Sequence, residues 1–179
     1  MALRSVVYKV DLGISDLDRS YYAQHNLTLA RHPSETDERL MVRLLAFVLH
    51  ASETLEFGKG LSSDDEPALW DRDLTGAVTR WIEVGQPDER LLRRACGKSD
   101  EVVLYAYGRA VDVWWRQNAL ALARLDKLRV WKLDEQICAD LLRFADRGMR
   151  LQATLQDGEL MLSDDQDTVH IRPVPMGEA

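Results

Sequence analysis

Two apolar, β-branched runs separated by one short helical segment constrain this chain more than any other feature. Residues 78–84 and 101–107 predict strands. Between them, Pro87 fits the first position of a helix that Gly97 would end. A strand, a helix and a strand of these lengths form a crossover, which normally makes the two strands parallel neighbours in one sheet. The sequence therefore predicts a mixed α/β fold built around this unit.

An amphipathic helix is predicted ahead of the crossover, within HPSETDERLMVRLLAFVLHA. Ser34 is its predicted N-cap, and Leu40, Leu44 and Phe47 recur at helical spacing. Two short strands follow it, at residues 54–57 and 68–73. The predicted order from residue 34 to residue 107 is therefore helix, three strands, helix, strand.

The two ends of the chain predict further strands. Residues 3–12 and 21–30 predict a hairpin, and the Asp157-Gly158 dipeptide predicts the first turn of a C-terminal meander. Because a lone hairpin is marginal in water, we expect the hairpin and the meander to share one sheet. We therefore expect a single domain, 1–179, in which 1–31 and 149–175 pair as a β subdomain and 32–148 form the α/β subdomain.

The stretch after the crossover is predicted to alternate between strands and helices. The apolar runs at 111–115 and 128–133 predict strands, and the segments at 117–126 and 134–148 predict helices, the second ending at Gly148. Trp114 and Trp115 fall in the first of these strands. Such large aromatic side chains favour a place in the core over a platform for stacking nucleic-acid bases.

The composition is that of an ordinary soluble protein. Of 179 residues, 46% are hydrophobic and 30% are charged, and the net charge of −7 gives no overall attraction to nucleic acid or anionic membrane. Cys96 and Cys138 lie far apart and match no metal or disulfide pattern. We find neither a signal peptide nor an apolar run of the about 18 to 20 residues that span a bilayer, so we expect a cytoplasmic protein.

Glu83 is the sharpest candidate for a functional residue. It lies in RWIEVGQP, flanked by Trp81, Ile82 and Val84. Gly85, two residues further on, removes the side chain that would lie on the same face of the strand as Glu83. A carboxylate in a central parallel strand, covered on both faces, is favoured as a site residue over a solvated one.

Other acidic residues are candidates with competing interpretations. Glu38, in the first turn of the predicted helix, either leans toward the apolar side or favours the helix dipole. Asp64, Asp65 and Glu66 form either a solvated turn or ligands for a hard cation such as Mg²⁺. Asp71, in the strand that follows, competes with Glu66 for that role.

Basic residues near this unit are candidates for phosphate contact. Arg90 and Arg94 lie one turn apart on the crossover helix, where they would meet a phosphate or neutralise the acids. Glu89 and Arg93 fit an ordinary surface ion pair. The histidines lack the spacing of metal ligands, so none is assigned a role.

Several stretches together resemble one known family. The segments ARHPSETDERLMVRLLAF, GKGLSSDDEPALW, WIEVGQPDER and LQATLQDGELMLSDD resemble the YaeQ family of bacterial proteins, and the likeness runs essentially end to end. The resemblance implies a variant of the PD-(D/E)XK, or restriction-endonuclease-like, fold: an αβββαβ core, here with an additional β subdomain from the N-terminal hairpin and the C-terminal meander.

The resemblance also implies roles for the candidate residues. Glu38, Glu66 and Glu83 would be catalytic acids, with Glu83 and either Glu66 or Asp71 holding Mg²⁺, or Mn²⁺ in its place. Gly85 stands where the lysine of the motif belongs. Gln86, Arg90 and Arg94 are then the nearest candidates to replace that lysine or to contact a phosphate.

Two functions follow as expectations. The first is a Mg²⁺-dependent nuclease-like protein that acts on or binds nucleic acid. The second, suggested by the missing lysine, is a catalytically inert module of the same fold that binds nucleic acid or a protein partner in a regulatory role. The sequence leaves the substrate, the pathway and the oligomeric state open.

Overall fold

The computed structural model describes residues 4–59 and 65–177, and within them the fold is mixed α/β, with four helices and two mixed sheets. In chain order the elements are β1 Val6–Asp16, β2 Tyr21–Arg31, α1 Asp37–His50, β3 Glu56–Phe57, β4 Leu69–Arg72, β5 Val78–Val84, α2 Glu89–Lys98, β6 Ser99–Ala106, α3 Val111–Leu122, β7 Leu128–Lys132, α4 Glu135–Leu142, β8 Gly148–Gln156, β9 Glu159–Ser163, β10 Thr168–Ile171 and β11 Val174–Met176.

The chain divides into two compact units. Unit 1 comprises Met1–Ser52 and Gln136–Arg172, and unit 2 comprises Glu53–Glu135 and Pro173–Ala179. The boundaries differ from those expected, because α1 and nearly all of α4 cluster with the strands of unit 1. Among the candidate acids, Glu38 is in unit 1, whereas Glu66, Asp71 and Glu83 are in unit 2. Asp64 lies outside the described residues.

The sheet of unit 1 has the order β10-β9-β8-β1-β2. The N-terminal hairpin and the C-terminal meander therefore share one sheet, as predicted, with β1 and β8 parallel to each other. Strict alternation along β1 buries Tyr8, Val10 and Leu12 on one face of the sheet and leaves Lys9 and Asp11 exposed on the other. The last strand, β11, was expected in this meander but pairs with β7 of the other sheet instead.

Helix α1 begins later than predicted. Its N-cap is Thr36, whose hydroxyl accepts a hydrogen bond from the backbone N–H of Arg39, while Ser34 bonds the ring of His32. Thr36 is the better cap because its side chain reaches the free N–H three residues ahead. The predicted apolar positions Leu40, Leu44 and Phe47 are buried as expected.

A buried ion pair fixes this helix within unit 1. Arg43, in the middle of α1, is only 2% exposed, and its guanidinium donates from Nε to Glu35 Oε1 at 2.7 Å and from Nη2 to Glu35 Oε2 at 2.9 Å. Arg39 adds a bond to Glu35 at 2.8 Å, and Arg43 also reaches the carbonyl of Ala30 at 3.2 Å. The Glu35–Arg43 pair therefore joins the end of β2, the loop after it and α1.

The sheet of unit 2 has the order β11-β7-β6-β5-β4-β3. Strands β5, β6 and β7 are parallel, which confirms the predicted crossover. Since these strands follow one another in sequence order, the right-handed rule places α2 and α3 on the same face of the sheet. That face holds a core formed by Trp81, Leu92, Ala95, Val102, Leu104, Val111 and Leu122, among others.

Three predictions about local structure in unit 2 and the following segment were wrong. The predicted strand at 111–115 is the first part of α3, because a short apolar run fits either period and the helix buries Val111 and Leu122. Helix α2 begins after its N-cap Asp88 rather than at Pro87, and it runs through Gly97 to Lys98. Helix α4 ends at Leu142, and Gly148 instead begins β8.

No helix of residues 4–59 and 65–177 is long and apolar enough to cross a membrane.

Replacing Glu35 tests the buried ion pair. Glu35→Gln keeps the shape of the side chain but leaves the Arg43 charge buried without its carboxylate, so we expect the free energy of unfolding to fall by about 3 kcal/mol or more. Urea denaturation measures the change. The matched control, Glu53→Gln at an exposed position, should change stability by less than about 0.5 kcal/mol. A loss for Glu35→Gln as small as that of the control would contradict this role.

Candidate functional site

The side chain of Glu83 is held on one face of the sheet in unit 2. In the register of β4 and β5, Trp70 lies opposite Trp81, and their rings meet edge to face with centroids 6.2 Å apart. Trp81 Nε1 donates a hydrogen bond to Glu83 Oε1 at 3.0 Å, which residues two apart on one face of a strand can make. Glu83 is 8% exposed. Its carboxylate is therefore buried, with the Trp81 indole N–H as a specific donor.

The burial of Glu83 in a parallel strand agrees with the sequence analysis, and its role as a site residue stays a prediction. A buried carboxylate needs donors or a cation to offset the loss of water, and the indole N–H supplies one such donor. Glu83 lies opposite Leu104 of the parallel strand β6, so it belongs to the face that α2 and α3 cover. The Trp81–Glu83 bond was not predicted from the sequence, although strand alternation alone places the two side chains together.

Asp71 lies on the opposite face of the same sheet. It is paired in register with Arg80, one residue along from the Trp70–Trp81 pair, so alternation turns its side chain away from Glu83. The Thr54 hydroxyl donates to Asp71 Oδ1 at 2.8 Å, and Arg80 Nη1 lies 3.9 Å from Oδ2. Arg80 also binds Glu101 at 2.8 Å. The structure thus places Asp71 in a charge network and does not bring it together with Glu83.

Glu66 lies in the turn before β4 and contacts Lys59. The backbone N–H of Lys59 donates to Glu66 Oε2 at 2.9 Å, and Lys59 Nζ lies 3.7 Å from Oε1. The side chain of Glu66 is 19% exposed. Its neighbour Asp65 is exposed, with its carboxylate 3.9 Å from the amine of Lys98. Glu66 therefore has more access to solvent than Asp71, whose side chain is 11% exposed.

Gly85 ends β5 in a conformation that side chains rarely adopt. Its φ is +101°, and its N–H donates to the carbonyl of Tyr105 on β6. A Cβ at Gly85 would meet only the Tyr107 ring, at 4.0 Å, so space does not require the glycine. The backbone turn requires it instead, which explains why no side chain stands where the resemblance implies a lysine.

Gln86, the proposed substitute for that lysine, helps to hold the loop. Its side-chain amide donates to the carbonyl of Tyr107 at 2.9 Å and lies close to Gly108, which also has a positive φ, +105°. Two glycine turns thus lie at the carboxyl ends of the adjacent strands β5 and β6, and Gln86 links them. The residue is exposed.

Helix α2 presents the basic residues that the sequence singled out. Asp88 caps the helix by accepting the N–H of Arg90, and Arg93 forms the expected ion pair with Glu89. The side chains of Arg90 and Arg94 are exposed. Within residues 4–59 and 65–177 their guanidinium groups have no hydrogen-bond or ion-pair partner. They remain available to an anion.

Glu38 lies in the first turn of α1 in unit 1 and is half-buried. Together with Asp37 it places negative charge at the helix N-terminus, where an acidic side chain interacts favourably with the helix dipole. This is one of the two interpretations that the sequence left open for Glu38. Across the part of the chain that the structure describes, no three His, Cys, Asp or Glu side chains cluster as metal ligands would.

Comparisons with known proteins agree on one family. A family model described as YaeQ protein matches residues 1–173. The YaeQ protein of Escherichia coli K12 is 46% identical over 172 residues, which cover 96% of this chain and 95% of that protein. The YaeQ protein of Salmonella typhi is 47% identical over 173 residues, which cover 96% of each. The crystal structure of YaeQ protein from Xanthomonas axonopodis pv. citri is similar, at 52% identity and a TM-score of 0.91, covering 96% of this chain and 97% of that one. The crystal structure of YaeQ protein from Pseudomonas syringae is similar at 35% identity and a TM-score of 0.93. The match covers 98% of this chain and 97% of that one.

Substitution of Gly85 tests whether its backbone conformation is the constraint. Gly85→Ala and Gly85→Lys should both lower the free energy of unfolding by about 1 to 3 kcal/mol, because each forces a side chain into a positive-φ turn. Gly97→Ala is the matched control, since Gly97 lies within α2 and an added Cβ meets nothing within 4 Å. We expect the control to raise stability by about 0.5 to 1 kcal/mol in urea denaturation. A Gly85→Lys variant with the same free energy of unfolding as the wild type would contradict the view that the backbone requires glycine at this position.

Proposed function

This chain belongs to the YaeQ family, and from that premise we propose that it is a Mg²⁺-dependent nuclease-like protein of the PD-(D/E)XK class that acts on or binds nucleic acid. The observation that carries the proposal is Glu83, a buried carboxylate in a strand that leads through a crossover helix into a parallel neighbour. The order α1, β3, β4, β5, α2, β6 is the αβββαβ order that the resemblance implies.

The donor set supports a hard cation, with Glu83 and Glu66 as the ligands of choice. Both offer carboxylate oxygens, which Mg²⁺ prefers, and Mg²⁺ needs only one or two protein carboxylates because it keeps several waters. Asp71 fits less well, since it lies on the other face of the sheet from Glu83, where Thr54 and Arg80 bind it. Bound Mg²⁺ would supply an activated water and neutralise charge on a phosphodiester.

The residues around the acids suggest how this chain would handle a nucleic acid. Trp81 orients the buried Glu83 carboxylate through one oxygen, and the Trp70 ring packs edge to face against Trp81. Arg90 and Arg94, exposed on α2, would contact phosphates of the backbone. Gln86 is less suited to replace the lysine, because its amide already holds the Tyr107 carbonyl.

A second function is favoured by the conformation of Gly85. Because the turn requires a glycine there, the lysine of the motif is excluded by the backbone rather than exchanged for a similar side chain. This supports the alternative of a catalytically inert module of the nuclease fold that binds nucleic acid, or a protein partner, in a regulatory role. Binding would then depend on Arg90 and Arg94 and not on a metal.

Cleavage assays test the first function. We expect wild-type protein with millimolar Mg²⁺ or Mn²⁺ to cleave labelled single- or double-stranded DNA or RNA. Glu83→Gln should reduce the rate by about 100-fold or more, because charge stabilisation by a metal is worth several kcal/mol. Glutamine still accepts the Trp81 N–H, so the variant should fold.

Glu101→Gln, on the neighbouring strand β6, is the matched control and should leave cleavage unchanged. A thermal melt adds an independent readout, since a ligand that binds only the folded state raises Tm. Mg²⁺ should raise the Tm of the wild type and of Glu101→Gln but not of Glu83→Gln. Cleavage untouched by Glu83→Gln, or no cleavage together with no shift in Tm, would reject the enzyme.

Salt-dependent binding tests the second function. If Arg90 and Arg94 contact phosphates, Arg90→Ala with Arg94→Ala should weaken binding to a labelled oligonucleotide. The slope of log K against log salt should fall in magnitude by about 0.7 to 0.9 for each phosphate that the variant no longer neutralises. Arg72→Ala, an exposed arginine already paired with Glu56, is the control. Equal slopes for the wild type and the double variant would rule out these phosphate contacts.

A further inference from the structure

Strand β2 (Tyr21–Arg31) is an unusually long open edge. Within residues 4–59 and 65–177, it ends the five-stranded sheet of unit 1 and pairs with β1 alone, over 11 residues. The other strands at the sheet ends are short: β10 has 4 residues, β3 has 2 and β11 has 3. Proteins often keep edge strands short to avoid unwanted strand pairing. At 11 residues, β2 lacks this protection.

The direction of the backbone groups in β2 follows from its neighbour. The N–H of Lys9 bonds to the carbonyl of Arg147 just before β8, so the odd-numbered residues of β1 face β8 and the even-numbered ones face β2. Tyr8 is paired with Leu29, which turns the odd-numbered residues of β2 toward β1. The even-numbered residues of β2 therefore direct their N–H and C=O groups outward.

An independent contact agrees with this assignment. Arg43 donates to the carbonyl of Ala30, an even-numbered residue, and so covers one end of the edge. The outward groups of Tyr22, Gln24, Asn26 and Thr28 have no such partner within residues 4–59 and 65–177. All four residues are exposed.

The edge also lacks the usual protective features. Residues 21–30 contain no Lys, Arg, Asp, Glu, Pro or Gly. The ladder with β1 runs without interruption from Tyr21 to Arg31, so no β-bulge twists the edge away. Proteins normally block an exposed edge with such charges, prolines or bulges, because an open one accepts another strand.

We propose that β2 pairs with β2 of a second copy of this chain, antiparallel about a two-fold axis at His25, so that two five-stranded sheets become one. In this register Tyr22 lies opposite Thr28 and Gln24 lies opposite Asn26 of the second copy. The four outward residues of each copy then form about eight backbone hydrogen bonds, two for each hydrogen-bonded pair. This proposal goes beyond the proposed function and does not rest on it.

The side chains on both faces of β2 are self-complementary in this register. On the exposed face, an amide meets an amide and an aromatic ring meets a β-branched residue, both of which are favourable cross-strand pairs. On the other face, Ala23 lies opposite Leu27 of the second copy. Ala23 and Leu27 are only half-buried in one copy, whereas Leu29, further from the open end, is buried. The second copy would complete their burial.

The axis residue carries no charge that would oppose pairing. Burial lowers the pKa of His25 from its usual value and so favours the uncharged ring. The Tyr21 hydroxyl is hydrogen-bonded to its Nε2 at 2.9 Å, and the Phe47 ring packs against it edge to face. Although each chain has a net charge of −7, two uncharged segments meet at this edge, which favours a second copy over a partner selected by charge.

Sedimentation equilibrium over a range of protein concentrations tests the proposal. We expect wild-type protein to form dimers, and Gln24→Lys with Asn26→Lys to raise the dimer Kd by about tenfold or more, because each lysine then faces a lysine of the second copy. Gln24→Glu with Asn26→Lys places opposite charges across the axis and should restore the dimer. Gln152→Lys with Met161→Lys adds the same charge to the same face on β8 and β9 and should leave the Kd unchanged.

Asn26→Pro provides a second, independent test. Its N–H points outward, so proline removes no bond to β1, and prolines are tolerated in such positions of edge strands. This variant should be a folded monomer with a Tm close to that of the wild type. A wild type that stays monomeric at all concentrations, or dimers that persist in both Gln24→Lys with Asn26→Lys and Asn26→Pro, would overturn the proposal.

Discussion

The buried pair of Glu35 and Arg43 is the interaction on which the architecture of unit 1 depends. An arginine in the middle of an apolar helix face has to keep its charge paired, and Glu35 is positioned to do so by the loop between β2 and α1. The same guanidinium donates a hydrogen bond to the Ala30 carbonyl, so it also occupies a backbone group at one end of the β2 edge. Such pairs are better at selecting one arrangement than at adding stability. Glu35 immediately precedes the N-cap Thr36, so the pair lies at the start of α1.

In unit 2, strand alternation decides which acidic residues act together. Glu83 shares a face with Trp81 and Trp70, whereas Asp71 shares the other face with Arg80 and is held by Thr54. Residues that look equivalent in the sequence therefore have different environments: one is buried beside aromatic rings, and the other is neutralised in an ion-pair network. The turn at Gly85 adds a second constraint, because the backbone itself leaves no side chain where the resemblance leads one to expect a lysine. Both constraints make Glu83 and the exposed arginines of α2 the residues that matter most for the proposed function.

Most of the element order could be predicted from the sequence, and so could the burial of the candidate residue Glu83 in a parallel strand. The crossover from β5 through α2 to β6 followed from two β-branched runs around a helix, and Glu83 stood out because it interrupted one of them. The shared sheet of hairpin and meander also followed from physical argument, since neither is stable alone. The strand assigned at 111–115 was wrong for an equally physical reason: a five-residue segment with four apolar residues fits both periods, and only packing against β6 and β7 decides for α3.

By itself, the sequence determined features that depend on neighbours along the chain: the alternation in β1, the helical spacing of the apolar residues in α1, the turn at Asp157-Gly158 and the glycine that ends β5. The tertiary structure alone decided features that depend on distant residues. These are the burial of Arg43 against Glu35, the separation of Asp71 from Glu83 onto opposite faces, and the open edge of β2. Local geometry fixes the periods of helices and strands, whereas the partner of a buried charge and the neighbours of a strand are set by the topology of the folded chain.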